Sequence, residues 1–276
     1  MSAHAQHDAG ASSVIDMLIS SLMDRACERT VRRTILGSRF CAIMLDDGAT
    51  GMANLCPEVC GKPSRPVSDC LPQPGSPAVD AMATLAPPTR SAVGLATANA
   101  LANRPEQWNE RREAGAATGD LLEVLELKSD DQVGMVGCFG PLVEPIGRRV
   151  RRLFIFERSP RLTSDLLPES QAGELLPQCS VAIITATTLL NGTIDALLAA
   201  AANCREVVVL GPSTPLVPEV FIEAPRRVSL LAGVVVTDAT ELLRVVARGG
   251  GTRDFLTSVV KVNVKVHDVS NGFRRP

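Results

Sequence analysis

From Asp131 onward the chain repeats one pattern, a short run of β-branched and aliphatic residues followed by a stretch of helical character. The runs are "DQVGMVG", "RLFIFER" (Arg152 to Arg158), "SVAIITA" (Ser180 to Ala186), "REVVVLG" (Arg205 to Gly211) and "GVVVTD" (Gly233 to Asp238). Their apolar stretches are continuous rather than alternating with polar residues, which is the mark of strands buried on both faces. Such strands, separated by helices, define a parallel sheet covered on both sides. The sequence therefore predicts an α/β chain whose residues 120–258 form a Rossmann-like, doubly wound parallel sheet.

Residues 13–114 read differently. "SSVIDMLISSLMDRACE" predicts an amphipathic helix with Ile15, Leu18, Ile19, Leu22 and Ala26 on one face and Ser13 and Asp16 at its start. "RFCAIMLDDGATGMANL" predicts a hairpin that turns at Asp47-Gly48. "SAVGLATANALAN" (Ser91 to Asn103) predicts a helix of small residues suited to close packing. Together they predict a smaller N-terminal α+β domain, joined to the sheet through the glycine and alanine cluster at Gly115 to Gly119. Residues 1–12 and 259–276 are expected as tails, with the alternation of Val260, Val262, Val264 and Val266 suiting a strand that pairs with the sheet edge or a neighbouring chain.

Composition narrows the function. Apolar residues at 45 % and charged residues at 21 % give the chain a real core. A net charge of −2 supplies no basic field, so no nucleic-acid partner is expected. Aromatic residues at 3 %, with no Tyr, argue against base stacking as well. The three histidines, His4, His7 and His267, sit near the chain ends, which disfavours a central histidine base or a histidine-rich zinc site. "GRRVRRL" (Gly147 to Leu153) reads as a solvated helix end rather than a phosphate patch. No segment approaches the ~20 apolar residues of a membrane span. The polar start "MSAHAQHDAGAS" lacks the charged-then-apolar order of a signal peptide. A cytoplasmic protein with no membrane partner, its eight cysteines held as thiols, is the expectation.

In a doubly wound sheet, ligands bind beyond the carboxyl ends of the strands. The chain places small polar loops there: "GCFGP" (Gly137 to Pro141), "TATTLLNGT" (Thr185 to Thr193) and "GPSTP" (Gly211 to Pro215). The candidate ligand-binding residues are Gly137, Cys138, Gly140, Thr185, Thr187, Thr188, Asn191, Thr193, Pro212 and Ser213. Their hydroxyls and amides, with free helix N–H groups, suit an anionic or polyhydroxyl small molecule. Asn191 and Thr193 serve equally well as helix caps. The glycine spacing Gly134-x-x-Gly137-x-x-Gly140 departs from the dinucleotide fingerprint, yet Glu157, twenty residues past Gly137, stands where a ribose-binding acid belongs. One reading is therefore a transferase or lyase acting on a nucleotide-like or S-adenosylmethionine-like ligand. Cys56, Cys60 and Cys70, spaced C-x3-C-x9-C, hold either a transition metal or iron–sulfur cluster, or no metal at all. A non-catalytic assembly partner, homo-oligomeric through the alanine-rich stretch Ala196 to Ala202, is a third reading.

"VGMVGCFGPLV", "LLPQCSVAIITATTLLNGTIDALL", "VVVLGPSTPLVPEV" and "LAGVVVTDATELLRVVARGGG" together resemble the heavy-metal-chelation family. The resemblance spans Val133 to Gly251 and extends to "DDGATGMA" and "SAVGLATANALAN". It implies an enolase-N-terminal-like domain coupled to a Rossmann-like domain, with a metal ion or metal-bearing ligand in the cleft between them. It also implies that the helix around Asn99 faces the cleft loops from the first domain; the leading reading of the residues adds Cys56, Cys60, Cys70 or Cys138 as soft ligands to that metal. The chain departs from the family pattern in its cysteine-bearing, proline-rich insertion and in Cys138, where a bulky residue is usual.

Overall fold

A computed structural model describes residues 12–55, 71–107, 116–158, 165–222 and 227–266. Helix α1 (Val14–Cys27) starts at a reciprocal capping box: Asp16 N–H donates to Ser13 Oγ (3.2 Å) and Ser13 N–H to Asp16 Oδ2 (3.3 Å). Its apolar stripe buries Val14, Ile15, Leu18, Leu22 and Ala26. Strands β1 (Val31–Leu36), β2 (Phe40–Leu45) and β3 (Thr50–Asn54) follow as an antiparallel sheet in that order, with the β2–β3 turn at Asp47-Gly48 and Gly48 left-handed at φ +89°. The sequence reading misses β1, an edge strand that exposes Arg32 and Arg33 and lacks the apolar run of its neighbours.

Strand β2 is apolar at every position because both of its faces are covered. Cys41, Ile43 and Leu45 point into a core shared with α1, α2 (Ala78–Ala83) and α3 (Ala92–Ala102). Phe40 and Ala42 point the other way, into a second core formed with Val234, Val236, Leu242 and Phe255 from the C-terminal half. Phe40 meets Phe255 edge-to-face at 5.2 Å. Helix α3 lies directly on β3, where a Cβ at Gly51 would stand 2.1 Å from the Ala100 nitrogen. The small residues of "SAVGLATANALAN" permit that approach, and the whole of α3 is buried.

The larger sheet contains β4 (Ala117–Thr118), β5 (Gln132–Val136), β6 (Arg152–Glu157), β7 (Leu167–Pro168), β8 (Val181–Thr185), β9 (Glu206–Leu210), β10 (Leu230–Val236) and β11 (Val259–Lys265). Its strand order is β4-β11-β10-β9-β8-β5-β6-β7. Strands β5 to β10 are parallel and, counted from β5, run 3-2-1-4-5-6, the doubly wound order. Alternate residues feed opposite cores. Val133, Met135, Ile155, Ile183 and Val208 face one side with Ile146 of α4 (Gly140–Gly147). Phe154, Phe156, Ala182, Ile184 and Val209 face the other, in one core with α1, α3, α5 (Ala172–Leu175) and α7 (Ile194–Ala200). Helix α8 (Ala239–Ala247), capped by Asp238 accepting from Glu241 N–H at 2.9 Å, closes the second core. Residues 259–265, whose alternation suits a strand, form β11, antiparallel to β10 through seven register pairs from Leu230↔Lys265 to Val236↔Val259, with β4 on its other side.

The two halves are joined by more than apolar contact. Asn103, 4 % exposed at the end of α3, donates through Nδ2 to the carbonyls of Thr214 (2.9 Å) and Val234 (3.2 Å) and accepts from Leu216 N–H (2.8 Å). Asn99 donates to Met52 O (2.8 Å) and Ser213 O (3.1 Å). Replacing Asn103 by alanine leaves these buried backbone groups unpaired and is expected to lower the unfolding free energy by about 2–4 kcal/mol. Urea denaturation measures the loss, and a change below ~1 kcal/mol would show that the side chain does not hold the halves together.

Candidate functional site

A cavity of about 880 Å³ opens at the carboxyl ends of β5, β8 and β9, where the strand order reverses, and the β2–β3 sheet contributes to its wall. The chain turns into it at Gly137, left-handed at φ +87°. A Cβ there would stand 2.9 Å from Thr185 Cγ2, so the first loop passes hard against β8 and only glycine fits. Cys138 and Gly140 then line the cavity, as do Thr185, Thr187, Pro212 and Ser213 from the other two loops. Thr185 and Thr187 share a hydrogen bond between their hydroxyls at 3.0 Å. The Ser213 hydroxyl accepts from Asn54 N–H of β3 (2.8 Å), which ties the third loop to the N-terminal half.

The remaining expected ligand residues are engaged elsewhere. Glu157 turns its carboxylate onto the glycine loop, accepting from Cys138 N–H (3.0 Å) and Arg158 N–H (2.8 Å), and does not line the cavity. Thr188, fully buried in the one-turn helix α6 (Thr188–Asn191), donates to Thr185 O (2.6 Å). Asn191 Oδ1 accepts from Thr193 N–H (3.0 Å) and from the Thr193 hydroxyl (2.6 Å), stitching the turn between α6 and α7. Thr193 is the N-cap residue of α7, but its side chain makes no capping bond. Asn99, 1 % exposed, faces the third loop as the resemblance implies, but it holds that loop in place and does not reach the cavity. Each of these side chains makes hydrogen bonds within the fold, while Asn99 Oδ1 is buried without a partner.

Charge enters from residues that loop chemistry did not single out. Arg39, beside β2, and Arg253, in the loop after α8, line the cavity, are exposed, and make no ion pair among the described residues. Lys261 of β11 lines it too, paired with Asp120. Asp254 is held to the loop backbone, accepting from Gly251 N–H (2.6 Å). Phe139, Leu142 and Leu256 supply apolar lining, and Leu256 is 43 % exposed. Arg39 follows β1 and Arg253 follows α8, so only the fold brings them to one cavity, and no local motif announces them.

Cys56, Cys60 and Cys70 lie outside the described residues. Among the described residues no group of three or more His, Cys, Asp or Glu side chains is gathered to hold a metal ion. Cys138, the thiol in the cavity lining, is disfavoured as a thiolate: burial pushes its pKa up, and the Glu157 carboxylate pushes it further the same way. No helix among the described residues is long and apolar enough to cross a membrane.

Fold and cavity together define an α/β protein with a cleft at the switch point of a doubly wound sheet, walled in part by a small antiparallel sheet. Residues 120–265, more than half of the 276-residue chain, match the DUF364 family model, described as "Putative heavy-metal chelation", and the chain belongs to that family. Residues 19–102 match a second model, DUF4213, with the same description. The chain is 34 % identical over 109 residues to an uncharacterized protein of Methanocaldococcus jannaschii, a match covering 38 % of this chain and 42 % of that one. Two solved DUF364 proteins of unknown function share the fold. That from Pyrococcus horikoshii has a TM-score of 0.80 at 20 % identity, with 92 % of this chain and 100 % of that chain covered. That from Desulfitobacterium hafniense has a TM-score of 0.75 at 24 % identity, with 91 % and 98 % covered.

The Glu157–Cys138 contact makes a kinetic prediction. Glu157→Gln keeps an acceptor for Cys138 N–H and removes the charge that holds the thiol pKa up, so iodoacetamide should modify Cys138 about threefold faster at pH 8. In the unsubstituted protein the rate should still be climbing above pH 9.0, the ordinary thiol value. Peptide mass spectrometry follows Cys138 alone, and an unchanged or slower rate in the variant would separate Glu157 from the thiol.

Proposed function

We propose that the protein binds a metal in the form of an anionic organic complex, seated in the cleft between its two halves. The observation that carries this reading is the pair of exposed guanidiniums, Arg39 from the N-terminal half and Arg253 from the C-terminal half, lining one cavity without carboxylate partners among the described residues. A guanidinium matches a carboxylate or phosphate with two parallel hydrogen bonds, so the pair is suited to the anionic groups of a chelator. Thr185 and Thr187 offer hydroxyls at the end of β8, and Phe139, Leu142 and Leu256 offer apolar surface to an organic body. A volume of about 880 Å³ accommodates a small molecule rather than a bare ion. The description of the family supplies the metal; the lining favours holding it through its organic shell, because the Cys138 thiol is held protonated and the Glu157 carboxylate is turned onto backbone.

A nucleotide-like ligand draws support from the switch-point position of the cavity. It draws none from Glu157, whose carboxylate sits on the Cys138 and Arg158 N–H groups rather than in the cavity.

Isothermal titration with ferric citrate and ferric nitrilotriacetate, each against the metal-free chelator, tests the proposal. Arg39→Ala and Arg253→Ala should each weaken binding of the metal chelate about tenfold, or ~1.4 kcal/mol, with unchanged thermal unfolding. Variants that bind as tightly as the unsubstituted protein, or an unsubstituted protein that binds neither chelate, would remove the cleft from this role.

A further inference from the structure

Two thiols meet at the edge of the large sheet opposite the cleft. Strands β8 and β9 are parallel with Val181 beside Glu206, and one step earlier Arg205 N–H donates to Ser180 O (2.8 Å). A further step back on each chain stand Cys179 and Cys204, just ahead of the two strands, and the Cys204 thiol donates to Cys179 O. Their sulfurs gather over one turn of chain. Cys179 Sγ lies 3.4 Å from Leu175 O, and Cys204 Sγ lies 3.8 Å from Leu176 O and 3.3 Å from Cys179 O. Space for the first sulfur is kept by Gly134, where a Cβ would stand 3.2 Å from Cys179 Sγ. Cys179 is 4 % exposed and Cys204 only partly covered, so the pair is reached from the Cys204 side.

We propose that Cys179 and Cys204 form a dithiol site for a soft divalent ion that prefers two sulfur ligands, of the mercury(II) type. Thiolate pairs select soft cations over the harder ions that oxygen ligands hold. Charge decides between the soft candidates. A divalent ion and two thiolates make a neutral unit, whereas a monovalent ion and two thiolates leave a net negative charge in a largely apolar place, facing carbonyl oxygens. Burial keeps both thiols protonated at neutral pH, with Cys179 pushed up to about 11 and Cys204 to about 12. Loading therefore exchanges two S–H bonds for two S–metal bonds and releases two protons to solvent, with no change of oxidation state. The site shares no residue with the cleft and does not rest on the reading given for it.

The test loads reduced full-length protein with mercury(II) and then dialyses it against excess glutathione. A monothiol strips ions held by single cysteines such as Cys27, while a preformed pair keeps its ion. Cys204→Ser retains a hydroxyl to donate to the Cys179 and Leu176 carbonyls, so its fold is the better preserved; Cys179→Ser is the second variant. Elemental analysis should find one equivalent fewer in each variant than in the unsubstituted protein, whatever the other cysteines hold. Loading should also raise the unfolding midpoint of the unsubstituted protein by more than that of either variant. Equal retained metal in all three proteins overturns the proposal, as does a variant that keeps the full rise in unfolding midpoint.

Discussion

Two asparagines on one buried helix fix how the halves of this protein meet. Apolar cores shared across the junction favour contact, but burial is non-directional and would tolerate a shifted register. Asn99 and Asn103 remove that freedom by taking the carbonyls of Ser213, Thr214 and Val234 and the N–H of Leu216 as partners. Unpaired buried amides and carbonyls cost more than the bonds themselves return, so one register is enforced. The loop so clamped is the one that brings Pro212 and Ser213 to the cleft, and Asn54 N–H holds the Ser213 hydroxyl from the same side. The cleft wall thus depends on side chains that never touch its interior.

The contribution of both halves to one cavity has an electrostatic consequence. Arg39 and Arg253 belong to separate halves, and an anionic ligand between them would bridge the junction rather than sit within one sheet. Glu157 works the other way. Its charge is spent on the Cys138 and Arg158 N–H groups, so the glycine loop is held by an internal anion, and the neighbouring thiol is kept from ionising. The cavity therefore offers hydroxyls, amides and guanidiniums, the set on which the proposed binding of a metal complex rests.

Much of the fold is legible in the sequence because burial on both faces writes itself as unbroken apolar runs. Strands β5, β6, β8 and β9 lie within a residue of where "DQVGMVG", "RLFIFER", "SVAIITA" and "REVVVLG" place them. The capping box at Ser13 and Asp16 and the Asp47-Gly48 turn are equally local and equally visible. Strand β1 is not, since Arg32 and Arg33 on a sheet edge carry no apolar signal. The site is legible only in part. The strand-end rule finds Cys138, Gly140, Thr185, Thr187, Pro212 and Ser213, because topology alone puts them at the cleft. It cannot separate a polar side chain facing a ligand from one stitching a turn, as Thr188, Asn191 and Thr193 do through bonds within their own loop. Nor can it find Arg39 and Arg253, which are remote in sequence and line one cavity next to Phe40 and Phe255, whose rings pack together.

The most direct measurement is an anomalous-diffraction crystal structure of the protein grown with saturating ferric citrate. An iron peak inside the cavity, with citrate carboxylates on the Arg39 and Arg253 guanidiniums, is the expected result. An iron peak bound only to protein side chains away from the cleft, with the cavity holding no chelate, would contradict it.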